Sequence, residues 1–213
     1  MSDNNKVAFT AMEHGTQSDY ELVFEHDAAN AAELPDRLLE WLSGMDGPSP
    51  YRISRLDHCL QTATRAERDG ADEETIVCAL LHDIGDVLAP TNHSQVAAAL
   101  LAPYVSEKNR WIVAHHGLFQ GYYWFQFVGQ DRHARDKYRD HEHFDACVDS
   151  VRAGIRSRLT RITMLTLSSI SRRWSVPCSH ASRGLFTRGR GARYGAYQLS
   201  IVAFRLIRCR RLN

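Results

Sequence analysis

Beyond Asp149 the 213-residue chain has no Asp, no Glu and no Lys. All 25 acidic residues lie at or before that position with 12 of the 26 Lys and Arg, a balance of −13, whereas residues 150–213 carry 14 Arg, a balance of +14. A break of this kind reads either as an acidic folded domain with an Arg/Ser-rich tail or as a change of reading frame. No run of 18 apolar residues occurs, so no membrane span is expected. Residues 1–17 are polar and lack the apolar centre of a signal peptide, so export is not expected. Five cysteines (Cys59, Cys78, Cys147, Cys178 and Cys209) form an odd set without Cys-x-x-Cys, which fits a reducing cytoplasm better than a disulfide framework. No segment alternates convincingly with a period of two. The expected fold is all-α.

Helical signals are plentiful. Residues 1–33 are polar, with a turn expected at Glu13-His14-Gly15-Thr16 and no obvious chemistry. A short helix is expected over residues 36–42, with Leu38, Leu39, Trp41 and Leu42 as core, before the Gly44–Pro50 break. The next is expected over residues 51–68, with Ile53, Leu56, Leu60 and Ala63 as its apolar stripe. His58 lies roughly 200° round from Leu56 at 100° per residue, so it faces water or a polar site.

Asp72, Glu73 and Glu74 open a helix that is apolar almost all the way round, through Ile76, Val77, Leu80 and Leu81. It ends in His82-Asp83-Ile84-Gly85, with Gly85 suited to a left-handed stop. A His-Asp pair at a buried helix end is costly unless paired, and a divalent cation is an economical partner for imidazole and carboxylate together. After a loop broken by Pro90, His93 opens a helix to Leu101 that Thr91 or Asn92 can cap. A first turn is a poor place for a cation and a reasonable one for a neutral ligand; a surface histidine is the alternative. Ser106 caps a helix ending in His115-His116, with Gly117 as its stop, and paired histidines there can be a dipole interaction alone. The aromatic cluster from Phe119 to Phe127 has no interleaved basic residues, so it reads as core and pocket wall and not as a base-stacking platform. Residues 131–149 read as a charged helix or pair of helices, with His133, His141 and His143 solvated.

Together, His58, His82, Asp83, His93 and His116 resemble the HD-domain superfamily of metal-dependent phosphohydrolases, in its His-Asp-Ile-Gly variant, over roughly residues 10–149. The His…His-Asp…His…His pattern is similar to the dinuclear branch, which includes the diiron oxygenases of phosphonate breakdown and myo-inositol oxygenase. The resemblance implies an HD-type helical bundle binding two divalent metal ions, Fe for an oxygenase and Mn or Mg for a hydrolase. It gives His58, His82 and Asp83 to one metal and His93 and His116 to the second, with Asp83 between them. The spacing of Val113, His116 and Tyr122 prefers His116 to His115, and the resemblance leaves His115, Gln120 and Tyr122 as possible substitute ligands or substrate contacts. An oxygenase would use iron and O₂ to cleave a C–H and then a C–C or C–P bond of a small polar substrate. A hydrolase would lower the pKa of water and polarise a phosphoryl oxygen, with Asp83 orienting the site. The ligand spacing favours the oxygenase. Where phosphonate oxygenases grip substrate with a Lys, this chain has Gln120, and Tyr51 is the one metal-facing phenol available ahead of the first histidine. Both departures point away from a phosphonate.

The superfamily's last Asp ligand is missing. Asp145 and Asp149 are candidate substitutes on a helix that reads as solvated. Shifting the frame by one base near codon 150 permits acidic, aromatic sequence containing Trp-Asp-Gln, with the Asp at the position of Ile155. Residues 150–213 are therefore read as out of frame and not as a true domain, with loss of the last ligand impairing the enzyme or leaving a remnant. Binding of nucleic acid or an anionic membrane by the tail is the alternative; against it stand the absence of Lys and of a sustained helical face.

Overall fold

A computed structural model of the chain describes residues 6–155. Among the described residues there are seven α-helices, short 3-10 turns and no strand, as the missing alternation predicts. They are α1 (Gln17–Ala32), α2 (Leu34–Ser43), α3 (Arg55–Arg68), α4 (Glu73–Leu81), α5 (His93–Leu101), α6 (Glu107–Gly121) and α7 (Phe144–Ile155). None of the helices described is long and apolar enough to cross a membrane.

Small side chains with acceptor oxygens set most of the starts. Ser54, Asp72 and Ser106 accept the N–H groups of Asp57, Thr75 and Asn109 at 3.1, 2.8 and 3.3 Å. Helix α3 starts at Arg55 and not at Tyr51, because Ser54 takes the extended N-cap conformation and its side chain receives the Asp57 N–H. Helix α1 answers a signal that composition hides: Thr16 and Asp19 form a capping box on a helix with no buried residue.

The main core fills the space between α2, α3, α4, α5 and α6, with Leu42, Cys59, Ala63, Leu80 and Ile84 fully enclosed. A second cluster, Trp111, Phe119, Cys147 and Val151, holds α7 against α6. Helix α7 runs through position 150 to Ile155, and Val151 within it is buried. The Arg/Ser-rich tail from residue 156 onward, and its out-of-frame reading, lie outside the described residues.

Two glycines serve close approach, where a helix stop was expected. Gly85 has no left-handed backbone; it sits in a 3-10 turn, Ile84–Val87, and a Cβ there would overlap the main chain of His93. Gly117 does not stop α6, which continues to Gly121; its bare Cα faces Ser94 Oγ, which a Cβ would meet at 2.9 Å. Gly70, at φ 74°, does take the left-handed position after α3.

The aromatic cluster divides. Phe119 is enclosed, but Tyr123, Trp124 and Phe127 are exposed, Phe127 by 80%, on a surface 3-10 turn that Gly129 closes at φ 72°. His133 is exposed as expected, whereas His141 and His143 are half-buried because they cover Trp111; the His141 ring stacks on it at 4.2 Å.

Because Gly85 abuts the main chain that carries His93, G85A is expected to lower stability by about 1–3 kcal/mol in urea denaturation. G47A, which meets nothing within 4 Å, is expected to change it by less than about 0.5 kcal/mol. Equal effects of the two would remove the packing explanation.

Candidate metal centre

Three chain reversals deliver the site. Helix α4 ends in His82, and Asp83 caps the 3-10 turn that Gly85 lets pass against the start of α5. That contact sets His93 in the first turn of α5. Helix α6 is fastened to α4 by Glu74, whose Oε1 accepts bonds from Ser106 N, Ser106 Oγ and Asn109 Nδ2 at 2.7, 2.5 and 2.8 Å. A residue read as complementing the dipole of α4 thus also receives the exposed donors at the start of α6. His116 follows seven residues after Asn109, two turns on and on the same face.

The result is two triads that share one carboxylate. His58 Nε2 and His82 Nε2 lie 3.2 Å apart, and Asp83 Oδ2 lies 3.6 and 3.3 Å from them. His93 Nε2 and His116 Nε2 also lie 3.2 Å apart, and Asp83 Oδ1 lies 3.5 and 3.1 Å from those. Each oxygen of Asp83 faces a different pair. His58, His82, Asp83 and His116 are buried and His93 is half-buried.

Tautomers follow from the other ring nitrogens. His82, His93 and His116 place Nδ1 on the carbonyls of Ala79, Pro90 and Val113 at 2.8, 3.1 and 2.7 Å. A carbonyl only accepts, so Nδ1 carries the proton and Nε2 of the neutral ring presents a lone pair. Lone pairs then converge on an ionised carboxylate in a buried space. Burial pushes the Asp83 carboxyl up, but protonated His82, by its charge, and hydrogen bonds donated from Nε2 of His116 and His82 outweigh it and hold the group well below the usual carboxylate range, so protons on these nitrogens are the alternative to a cation. Burial pushes His116 down, against the hydrogen bond it donates to Asp83 when protonated, so this ring favours the neutral form. Either protons on the Nε2 atoms or a cation in their place satisfies such a cluster. The donor set, imidazole nitrogen with carboxylate oxygen, fits Fe, Mn or Zn in chemical type.

Two supporting residues escaped the sequence reading. Asp86, with a side chain only 5% exposed, pairs with Arg55 and stands 3.6 Å from His93 Nδ1. That is beyond hydrogen-bond distance, so the Pro90 carbonyl holds the Nδ1 proton and Asp86 adds a buried negative charge on the same side of the ring. The spacing Asp83-x-x-Asp86, one turn on, was the available signal. Cys59, enclosed beneath the cluster, has its thiol pushed far up by burial and by the charge of Asp83, so it offers no thiolate.

A cavity of about 460 Å³ opens from His58, His82 and His116 and is walled by α3, α4, α6 and α7. Gln120 and Asp149 line it; Asp145 does not. His115 turns away: its ring stacks on Trp111 at 4.1 Å and its Nδ1 donates to the Trp111 carbonyl. Tyr51 is 56% exposed in the loop before α3 and is not among the cavity-lining residues. Tyr122 is likewise outside, held between the guanidinium groups of Arg132 and Arg135 at 4.3 and 3.9 Å. The cluster therefore takes His58, His82, Asp83, His93 and His116, and leaves out Tyr51, His115 and Tyr122.

Residues 55–157 match the family described as HD domain. The match runs from the start of α3 past the end of α7 and contains all five clustered residues. No curated protein matches the chain.

Two outcomes are expected. The pKa of His116 is lowered in the folded state, so below its ordinary value of 6.5 the unfolded chain binds a proton that the folded chain resists. The stability conferred by neutral His116 is thus present above pH 6.5 and lost as pH falls toward the folded value; Asp83, depressed below 3.8, contributes nothing in that window. Urea denaturation of metal-free protein from about pH 7.5 to about 5.5 should show this loss, reduced in H116Q. D86A should weaken binding of the second of two equivalents of metal by about 10–100-fold in calorimetric titration. A variant that binds both as the parent does would deny Asp86 its supporting part.

Proposed function

We propose that the chain is a metal-dependent HD-type enzyme with a dinuclear centre, in which His58, His82 and Asp83 hold one ion and Asp83, His93 and His116 the other. The observation that carries this reading is the division of the Asp83 carboxylate between two imidazole pairs. Bound divalent ions would supply either O₂ activation, with iron, or polarisation of a phosphoryl oxygen and a lowered pKa of water, with Mn or Mg. The protein's own contribution is to fix the rings of His82, His93 and His116 through their Nδ1 hydrogen bonds, to keep Asp83 ionised and to line the cavity with apolar Ile112 and Val113. Gln120 and Thr62 offer hydrogen bonds to a small polar substrate in the cavity. Tyr51 takes no part.

Of the two chemistries, the diiron oxygenase is the one we favour, because the His…His-Asp…His…His spacing resembles the diiron branch of the superfamily. The hydrolase reading draws on the same residues. Asp149, which lines the cavity, is the candidate for the absent last carboxylate, and a one-base shift near codon 150 that restores Trp-Asp-Gln is the alternative, decided by the gene's nucleotides. Metal analysis and EPR of protein purified with and without air separate the readings. Two irons per chain with a mixed-valent signal support the oxygenase, and phosphoester hydrolysis with Mn or Mg supports the hydrolase. D83N should lose both ions and H93Q one. Parent protein with no stoichiometric metal would overturn the enzyme reading.

A further inference from the structure

The cavity has a second end, away from the histidines. Helix α3 runs outward from His58 to Arg65, seven residues and nearly two turns, so the two share a face and stand about 10 Å apart along the axis. Helices α4 and α6 run the opposite way, from Thr75 to His82 and from Asn109 to His116, again seven residues each. All six of these residues line the cavity, so three helices place a distal layer at a common depth.

That layer contains a guanidinium with little to hold it. Arg65 is half-buried, and among the described residues its hydrogen bonds are to the carbonyl and side-chain oxygens of Gln61 at 3.3 and 3.5 Å. Among the described residues no carboxylate comes within ion-pair distance of it. Lys108, exposed at the mouth, has no such pair either. The carboxylates of the cavity, Asp69 and Asp149, are solvent-exposed. Burial works against the charge of Arg65 more than Asp69 supports it. A planar cation withdrawn from water beside neutral donors is matched by a bidentate oxyanion.

We propose that Arg65, with Lys108 at the rim, forms an oxyanion subsite, and that the substrate is an elongated molecule with a phosphate or carboxylate at one end and its reacting group about 10 Å away at the histidine cluster. The second clause rests on the cluster's reading as a metal centre; the subsite itself does not. Gln120, one turn beyond His116 and on the side away from the distal layer, then sits at the reacting end of the molecule and is not placed to grip its anion.

The test is calorimetric binding of 6-hydroxyhexyl phosphate, 6-hydroxyhexanoate and the short 2-hydroxyethyl phosphate to the full chain, with metal content measured in parallel. At least one long compound should bind more tightly than the short one. R65Q should weaken it about 10- to 100-fold with metal content unchanged, and K108M by a smaller factor. The two long compounds distinguish phosphate from carboxylate. Lys108 is exposed, so K108M keeps the test open should R65Q fail to fold. No binding of either long compound, or unchanged affinity in both variants, would overturn the subsite. Arg65-dependent binding to a chain that holds no metal would support the subsite and count against the metal centre alone.

Discussion

The carboxylate of Asp83 faces two ways, and the remainder of the site is arranged so that it can. One oxygen meets His58 and His82, the other His93 and His116, at distances between 3.1 and 3.6 Å. Buried imidazoles whose Nδ1 protons are committed to backbone carbonyls cannot satisfy a carboxylate by donating to it, and they cannot face one another without cost. A cation at each triad removes both difficulties at once. Without one, the cluster requires protons that the burial of His116 resists.

Holding five side chains from three helices and a turn in that relation constrains residues with no metal chemistry of their own. Gly85 admits the backbone of His93, Gly117 makes room for Ser94, and Asp86, paired with Arg55, lies beside the His93 ring. Glu74 ties the start of α6 to α4 and so fixes the register between His82 and His116. The same register sets Thr75 beside Asn109, and with Arg65 of α3 they line the far end of the cavity.

The five clustered residues were legible because their chemistry is encoded in type and spacing. A histidine off the apolar stripe of α3, a His-Asp doublet ending a buried helix, and two histidines at helix ends are local signals. The helix bounds at His93–Leu101 and the starts at Asp72 and Ser106 are similarly local signals, whereas the cap at Ser54 lies inside the helix expected over residues 51–68. What escaped depends on contacts between segments distant in the chain. A glycine in a left-handed turn and a glycine under another backbone look alike in one sequence, which misled the reading of Gly85 and Gly117. Asp86 and Glu74 are ordinary acidic residues until α5 and α6 are placed beside them. Tyr51 and Tyr122 were selected by alignment to a pattern, and the fold directs them elsewhere: one into an exposed loop, the other between two arginines.

Anomalous scattering from crystals of the metal-loaded full chain tests the shared carboxylate most directly. The account predicts two peaks roughly 3.5–4 Å apart, one on the His58–His82 side of Asp83 and one on the His93–His116 side. A single peak on one side, or none at either, would contradict it.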